Sequence, residues 1–289
     1  MPSRRAPRAV ALHAARPRRL RNDRAEGGLG GEQVEGRRAV RELLAAGRRA
    51  VREVVIAEGQ DASTLLDEVI ALARAARVPL RSASPLDLRA VARSETPQGV
   101  VAWAAPVEPV ELDALVTENP GRGPARTPDG AVPFIVVVGE VTDPRNLGAV
   151  LRSALGAGAT GVVLARRRTT HLTPSALKAA AGAVEHLPIA LVPGIGPALT
   201  ALSARGVWTV GLDPEGERVL DELEIATEPL AIVVGAEGRG LAPLVKKRCD
   251  IRCRIPLYGP VESLNVSVAA AVALFAIASR RHDAGHRAG

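Results

Sequence analysis

Aromatic side chains are almost missing from this sequence: two Phe, two Trp and one Tyr among 289 residues. With 47% hydrophobic residues the chain still has material for a sizeable core, and that core must be aliphatic. Cysteine is equally sparse. Cys249 and Cys253 form a lone CxxxC with no second Cys or His pair at zinc-site spacing, which predicts two reduced thiols in a cytoplasmic protein. The five histidines, at positions 13, 171, 186, 282 and 286, are scattered, so no metal is expected. No run of about 18 apolar residues occurs, and no membrane span is expected. The strand beginning at Phe134 is not followed by G-x-G-x-x-G, no Gly-Lys-Ser/Thr occurs, and G-x-S-x-G is absent, which removes support for dinucleotide, P-loop and serine-hydrolase chemistry.

Acidic residues are scarce only at one end. Residues 1–24 hold eight arginines (4, 5, 8, 16, 18, 19, 21 and 24) and a single acid, Asp23, and so carry the whole formal excess of +7. The remainder is near neutral. An Arg- and Pro-containing arm without hydrophobic periodicity is expected to be disordered and suited to RNA phosphates. It lacks the apolar core of a secretory signal, and its acid-poor composition also fits an organelle transit peptide.

Organisation follows from punctuation and periodicity. We expect a tail over 1–32, a small α/β unit over 33–106, a Pro/Gly-rich linker over 107–132 and a larger α/β domain over 133–283. Residues 25–35 read as linker. In the first unit, strands are expected at Val51–Ala57, 78–82 and 99–104, with helices at 62–76 and 85–92. In the second, strands are expected at 134–139, 161–165, 187–192, 207–212, 230–235 and 251–255. The alternation with helices predicts a parallel sheet covered on both faces. Thr173-Pro174 is an N-cap with proline at the first helical position. The last helix is expected over about 263–280, with Ser263 as its cap, which leaves Asn265 as spare polarity beside a Pro/Gly-rich loop.

Three segments of the larger domain each end a strand and open a loop: Thr142–Ser153, Val234–Leu241 and Arg254–Ala270. Ligands of open parallel sheets bind at the carboxyl ends of strands, so these loops can converge. Taken singly, each is also an ordinary turn or helix start, and Arg152 is also an ordinary surface arginine.

Together and in this order they resemble the three motifs of the SpoU, or TrmH-type, RNA ribose 2′-O-methyltransferases. Asp143-Pro-x-Asn146-x-Gly148 with Arg152 is similar to the first, Gly235-Ala-Glu237-Gly-x-Gly-Leu241 to the second, and Ile255-Pro-Leu257 with Ser263-Leu264-Asn265 to the third. Residues 34–105 resemble the family's ribosomal-protein-like substrate-binding domain, through Gly36-x-x-Ala39-Val40-x-Glu42-x-Leu44 and Gln98-Gly99-Val100. Pro97 stands where many members have His. Lys178 and Ala181-Gly182-Ala183-x-Glu185 resemble the subgroup acting on ribosomal RNA.

The resemblance implies a parallel α/β domain closed by a deep C-terminal trefoil knot. It implies S-adenosylmethionine held by Gly235, Ala236, Ile255, Leu257 and Leu264. It assigns the work on the ribose hydroxyl to Arg152, Asn146, Glu237, Asn265 and Ser263. It also implies a homodimer, no metal, and an RNA substrate. A guanosine of 23S rRNA comes first, with tRNA, another rRNA site, or a non-catalytic RNA-binding role as alternatives.

Overall fold

The computed structural model describes residues 28–61, 63–117, 125–167, 169–236 and 238–287, with backbone alone beyond residue 284. The Arg-rich arm up to residue 27, and Glu237, lie outside the described residues.

The N-terminal unit contains β1 (Gln33–Glu35), α1 (Arg37–Ala46), β2 (Val51–Ala57), α2 (Thr64–Ala75), β3 (Leu80–Ala83), α3 (Pro85–Val91) and β4 (Val100–Ala104). Its sheet order is β1-β4-β2-β3. β4 runs antiparallel to both β1 and β2, and β2 runs parallel to β3. Residues expected to be linker therefore include a buried edge strand. Gln33 and Glu35 are buried, and Glu35 accepts hydrogen bonds from the amides of Arg93 (2.6 Å) and Ser94 (3.0 Å). Three residues are too few to show a period in the sequence, and their burial comes from β4 and the loop after α3.

The larger unit contains β5 (Phe134–Val138), α4 (Pro144–Gly156), β6 (Gly161–Ala165), α5 (Pro174–Ala180), β7 (Ile189–Val192), α6 (Ile195–Ala204), β8 (Trp208–Leu212), β9 (Arg218–Val219), β10 (Leu230–Val234), α7 (Pro243–Lys246), β11 (Ile251–Arg254) and α8 (Val266–Arg287). Its seven strands are ordered β7-β6-β5-β10-β8-β11-β9, and every pairing is parallel. β5, β6 and β10 are buried along their whole length, as the continuous Val/Ile runs predict for a sheet covered on both faces. The expected strands of this unit all appear, within two residues of their expected ends. The two-residue β9 was not foreseen.

Two further differences have clear causes. The supposed linker packs onto the larger sheet: Leu115 and Val116 are buried, Val110 bridges to Ala190, and Leu115 covers Gly161. Its Pro/Gly content disguises an apolar anchor. The last helix starts at Val266 rather than Ser263. Asn265, not Ser263, caps it, accepting from the Ser267 amide at 2.9 Å.

The far end of α8 is tied back to the start of β5. Arg281 donates to the carbonyls of Ala226 (2.8 Å), Pro133 (3.1 Å) and Val132 (3.2 Å), and lies 4.7 Å over the Phe134 ring. Burial pushes its guanidinium down to about 10, still charged at neutral pH. Among the described residues no helix is long and apolar enough to cross a membrane.

Candidate active site

Asp143 begins α4. Its carboxylate accepts from the Arg145 amide at 2.8 Å, and Pro144 takes the first helical position. One turn on, Gly148 lets α4 cross α5 closely: a side-chain carbon there would sit 2.3 Å from the Ala176 carbonyl oxygen. Asn146 points to the start of α8. Ser267 Oγ donates to Asn265 Oδ1 at 2.7 Å and lies 3.3 Å from Asn146 Oδ1. The first and third motifs are thus joined through a serine that the sequence reading did not single out. Its position two residues after an N-cap asparagine was the available signal.

The second motif folds back on itself. Ala236 and Gly240 exchange amide hydrogen bonds of 2.8 and 2.9 Å, and Gly238 (φ 71) and Gly240 (φ 63) take left-handed turns. Gly235 lies under this loop, where a side-chain carbon would be 2.3 Å from the Gly240 carbonyl oxygen.

All five residues expected at the cofactor, Gly235, Ala236, Ile255, Leu257 and Leu264, line one cavity, and Ser263 lines it too. Leu212, Ile255, Leu257 and Leu264 give it an apolar wall, while Asp213 and Glu262 add carboxylates. Asp213 is buried; Lys246 Nζ lies 2.9 Å from its Oδ2, yet that oxygen accepts no aligned hydrogen bond. An apolar slot edged by backbone and carboxylates fits S-adenosylmethionine, whose flat adenine needs a dry wall and whose ammonium and sulfonium are cationic. Cys253 also faces this cavity; burial pushes its thiol up to about 11, and that of Cys249 to about 12. Both cysteines are free.

Arg152 stands elsewhere. Six residues beyond Asn146 on α4, it is exposed and lines a cleft of about 990 Å³ between the two units. Arg37, Gln60 and Gln98 form the opposite wall, and Lys178 stands on Arg152's own side. Six residues of helix span about 9 Å, so Arg152 lies well along α4 from the Asn146–Ser267 contact and lines the cleft rather than the Gly235–Leu264 cavity. In one chain, then, the residues expected at the cofactor come together, Asn146 and Asn265 are linked, and Arg152 faces the cleft.

Residues 133–275 match the SpoU rRNA methylase family, and residues 33–110 match the RNA 2′-O ribose methyltransferase substrate-binding family. The 23S rRNA (guanosine-2′-O-)-methyltransferase RlmB of Pseudomonas putida is 36% identical over 250 residues, which cover 86% of this chain and 97% of that protein. The chain belongs to the SpoU methyltransferase family. An RNA ribose methyltransferase using S-adenosylmethionine, the enzyme class and cofactor expected from the motifs, goes with that membership. A crystal structure of an RNA 2′-O ribose methyltransferase superposes with a TM-score of 0.68 at 27% identity, over 86% of this chain and 88% of that one. The SpoU methyltransferase AviRb of Streptomyces viridochromogenes, solved with its cofactor AdoMet, shares the fold at a TM-score of 0.69 and 24% identity, over 87% of this chain and 90% of that one.

Proposed function

We propose that this SpoU family member methylates the ribose 2′-hydroxyl of a guanosine in 23S rRNA. The observation that carries the reading is the pairing of a substrate-binding unit (33–110) with a methylase unit (133–275), spanning 97% of the Pseudomonas RlmB relative. The 2′-hydroxyl is the group that separates RNA from DNA, and it is a weak nucleophile until its proton is drawn away.

The bound cofactor supplies an electrophilic methyl group on sulfonium. The chain supplies alignment. Ile255, Leu257 and Leu264 would hold the cofactor against an apolar wall, with the backbone of Gly235 and Ala236 beside it. Asn146 and Asn265, coupled through Ser267, set the position of the ribose. Arg152 orients the hydroxyl and the adjacent phosphate, since a guanidinium stays protonated and serves poorly as a base. Glu237 and Ser263 hold the motif loops in register. Held there, S-adenosylmethionine would give its methyl group to the ribose oxygen and leave as the neutral thioether, with loss of the hydroxyl proton.

Several finer features belong to the same reading. The working unit is a homodimer. On α8, Val268 (48% exposed), Val272 (42%) and Phe275 (51%) form an apolar stripe beside Leu155, which a second copy would cover. A second copy would also bring an Arg152 to a cofactor cavity that its own chain keeps apart. The C-terminal third of the catalytic domain forms a trefoil knot, with the loops around Gly235–Leu241 and Ile255–Asn265 threaded against each other. The 213–217 turn lies tight against β11, where a side-chain carbon at Gly216 would sit 2.6 Å from the Cys253 carbonyl carbon. Residues 33–106 form the ribosomal-protein-like RNA-binding domain, 133–283 the catalytic domain, and the protein works in the cytoplasm.

Purified protein incubated with methyl-tritiated S-adenosylmethionine and unmodified transcripts tests this. Label should enter 23S rRNA at one guanosine ribose, and the adjoining bond should resist alkali. Label entering tRNA alone, or no RNA, would overturn the substrate.

A further inference from the structure

Methyl transfer leaves one feature of the catalytic unit without work, the turn after α5. Ala181 (φ 50) and Gly182 (φ 94) both take left-handed conformations there, and Glu185 follows, 4% exposed. A buried carboxylate needs a partner. The partner comes from the other unit, 136 residues earlier. Arg49 Nε donates to Glu185 Oε2 at 3.0 Å and its Nη2 to Oε1, a two-pronged pair with the Arg49 side chain only 7% exposed. The remaining prong of Arg49 donates to the carbonyls of Gly31 (2.9 Å) and Ala105 (2.8 Å). Arg48 donates to the Glu185 carbonyl at 3.1 Å, and His186 meets Glu42 at 2.9 Å. Beside them Gly182 presses on α1: a side-chain carbon there would fall 2.2 Å from Glu42 Cβ. The strap before β1 crosses the same seam, with Leu29 buried and its carbonyl accepting from the Leu172 amide at 3.0 Å.

We propose that Arg49, Glu185 and Gly182 form a docking lock that sets the angle of the N-terminal unit on the catalytic unit, so that RNA is gripped across the cleft between Arg37 and Arg152. A buried two-pronged pair adds little net stability, but it accepts one geometry only. Both walls of the cleft hang from this seam: α1 carries Arg37, and the α5 turn follows Lys178. Arg49 and Glu185 line neither the cleft nor the cofactor cavity, so they are positioning residues. The inference rests on the proposed RNA substrate.

Two variants break the lock by different physics. Glu185→Gln removes the charge; Gly182→Ala keeps it and wedges the seam open. Each should raise the KM for an unmodified 23S transcript by about tenfold or more, as expected when a fixed orientation is lost. Cofactor affinity by calorimetry, and kcat at saturating RNA, should stay within about twofold of wild type. A purely structural role would instead lower the apparent kcat and the calorimetric binding stoichiometry with the folded fraction and leave KM unchanged. Wild-type KM in both folded variants, or a loss confined to kcat or cofactor affinity, overturns the lock. If neither variant folds, solution scattering of the wild type decides: one fixed arrangement of the two units supports the lock, and independently moving units overturn it. A wild type that methylates no RNA contradicts the proposed function instead, and scattering still tests the lock.

Discussion

Ser267 sits where the first and third motifs meet, with Asn265 Oδ1 at 2.7 Å and Asn146 Oδ1 at 3.3 Å. Its amide and hydroxyl do separable work, and that makes it testable. Ser267→Ala keeps the amide that Asn265 caps, so its melting temperature should be nearly that of wild type. The loss of the hydroxyl removes the Ser267 contact to Asn146, and kcat should fall by roughly ten- to hundredfold, as small misplacements do. Asn265→Ala removes the cap as well and should cost about 1 kcal/mol in denaturant unfolding on top of the activity loss. Arg152→Ala should abolish transfer while calorimetry still detects S-adenosylmethionine, because Arg152 lies outside the cofactor cavity. Surviving activity would remove Arg152 from the mechanism. The cysteines give a pH prediction. Burial raises both thiols, to about 12 and about 11, so the reactive thiolate is scarce in the folded protein below those values. Iodoacetamide at pH 8 should label neither until denaturant is added. Rapid labelling of the native protein would show that the cavity around Cys253 is open.

The elements of the larger sheet were legible because they are long, aliphatic and bounded by glycine or proline. β5 and β10 are unbroken apolar runs, and Thr173 and Asp143 cap the helices that begin with Pro174 and Pro144. What the residues did not announce is short or made by tertiary contact. β1 has three residues, the strap at Leu29 lies in a Gly-rich stretch, and Leu115–Val116 hides among prolines. The start of α8 was misplaced because Ser263 and Asn265 are both good caps, and only the fold chooses between them. The convergence of Gly235, Ile255 and Leu264 on one cavity was legible through the motifs; the parting of Arg152 from it within one chain was not, since it depends on where α4 lies. At this scale the second-motif loop is the sharpest test. Gly235→Ala would drive a methyl into the Gly240 carbonyl and spread the loop. Calorimetry should then show S-adenosylmethionine affinity reduced by about tenfold or more, with the fold retained in circular dichroism. Unchanged affinity would remove this loop from the cofactor site.

In the whole molecule, the two units share one apolar core that runs from Val40 and Leu43 through Leu29 to Leu172 and Val184, and α8 carries an apolar stripe that it leaves bare. Covering that stripe is what a second copy offers. Phe275→Glu should convert a dimer to a monomer in sedimentation at micromolar concentration and abolish transfer with it; a wild-type monomer that methylates RNA would contradict the dimer reading. The Gly235–Leu264 cavity lies on one side, Arg152 stands in the cleft, and a unit matching the substrate-binding family is docked beside the methylase unit, the arrangement from which one ribose of a folded RNA is proposed as substrate. Ribose-methylation mapping of total RNA from cells with and without the gene tests this most directly. The account predicts that one guanosine of 23S rRNA loses its 2′-O-methyl group when the gene is removed. An unchanged rRNA map would contradict it, and a tRNA position losing its methyl group instead would identify the substrate it had missed.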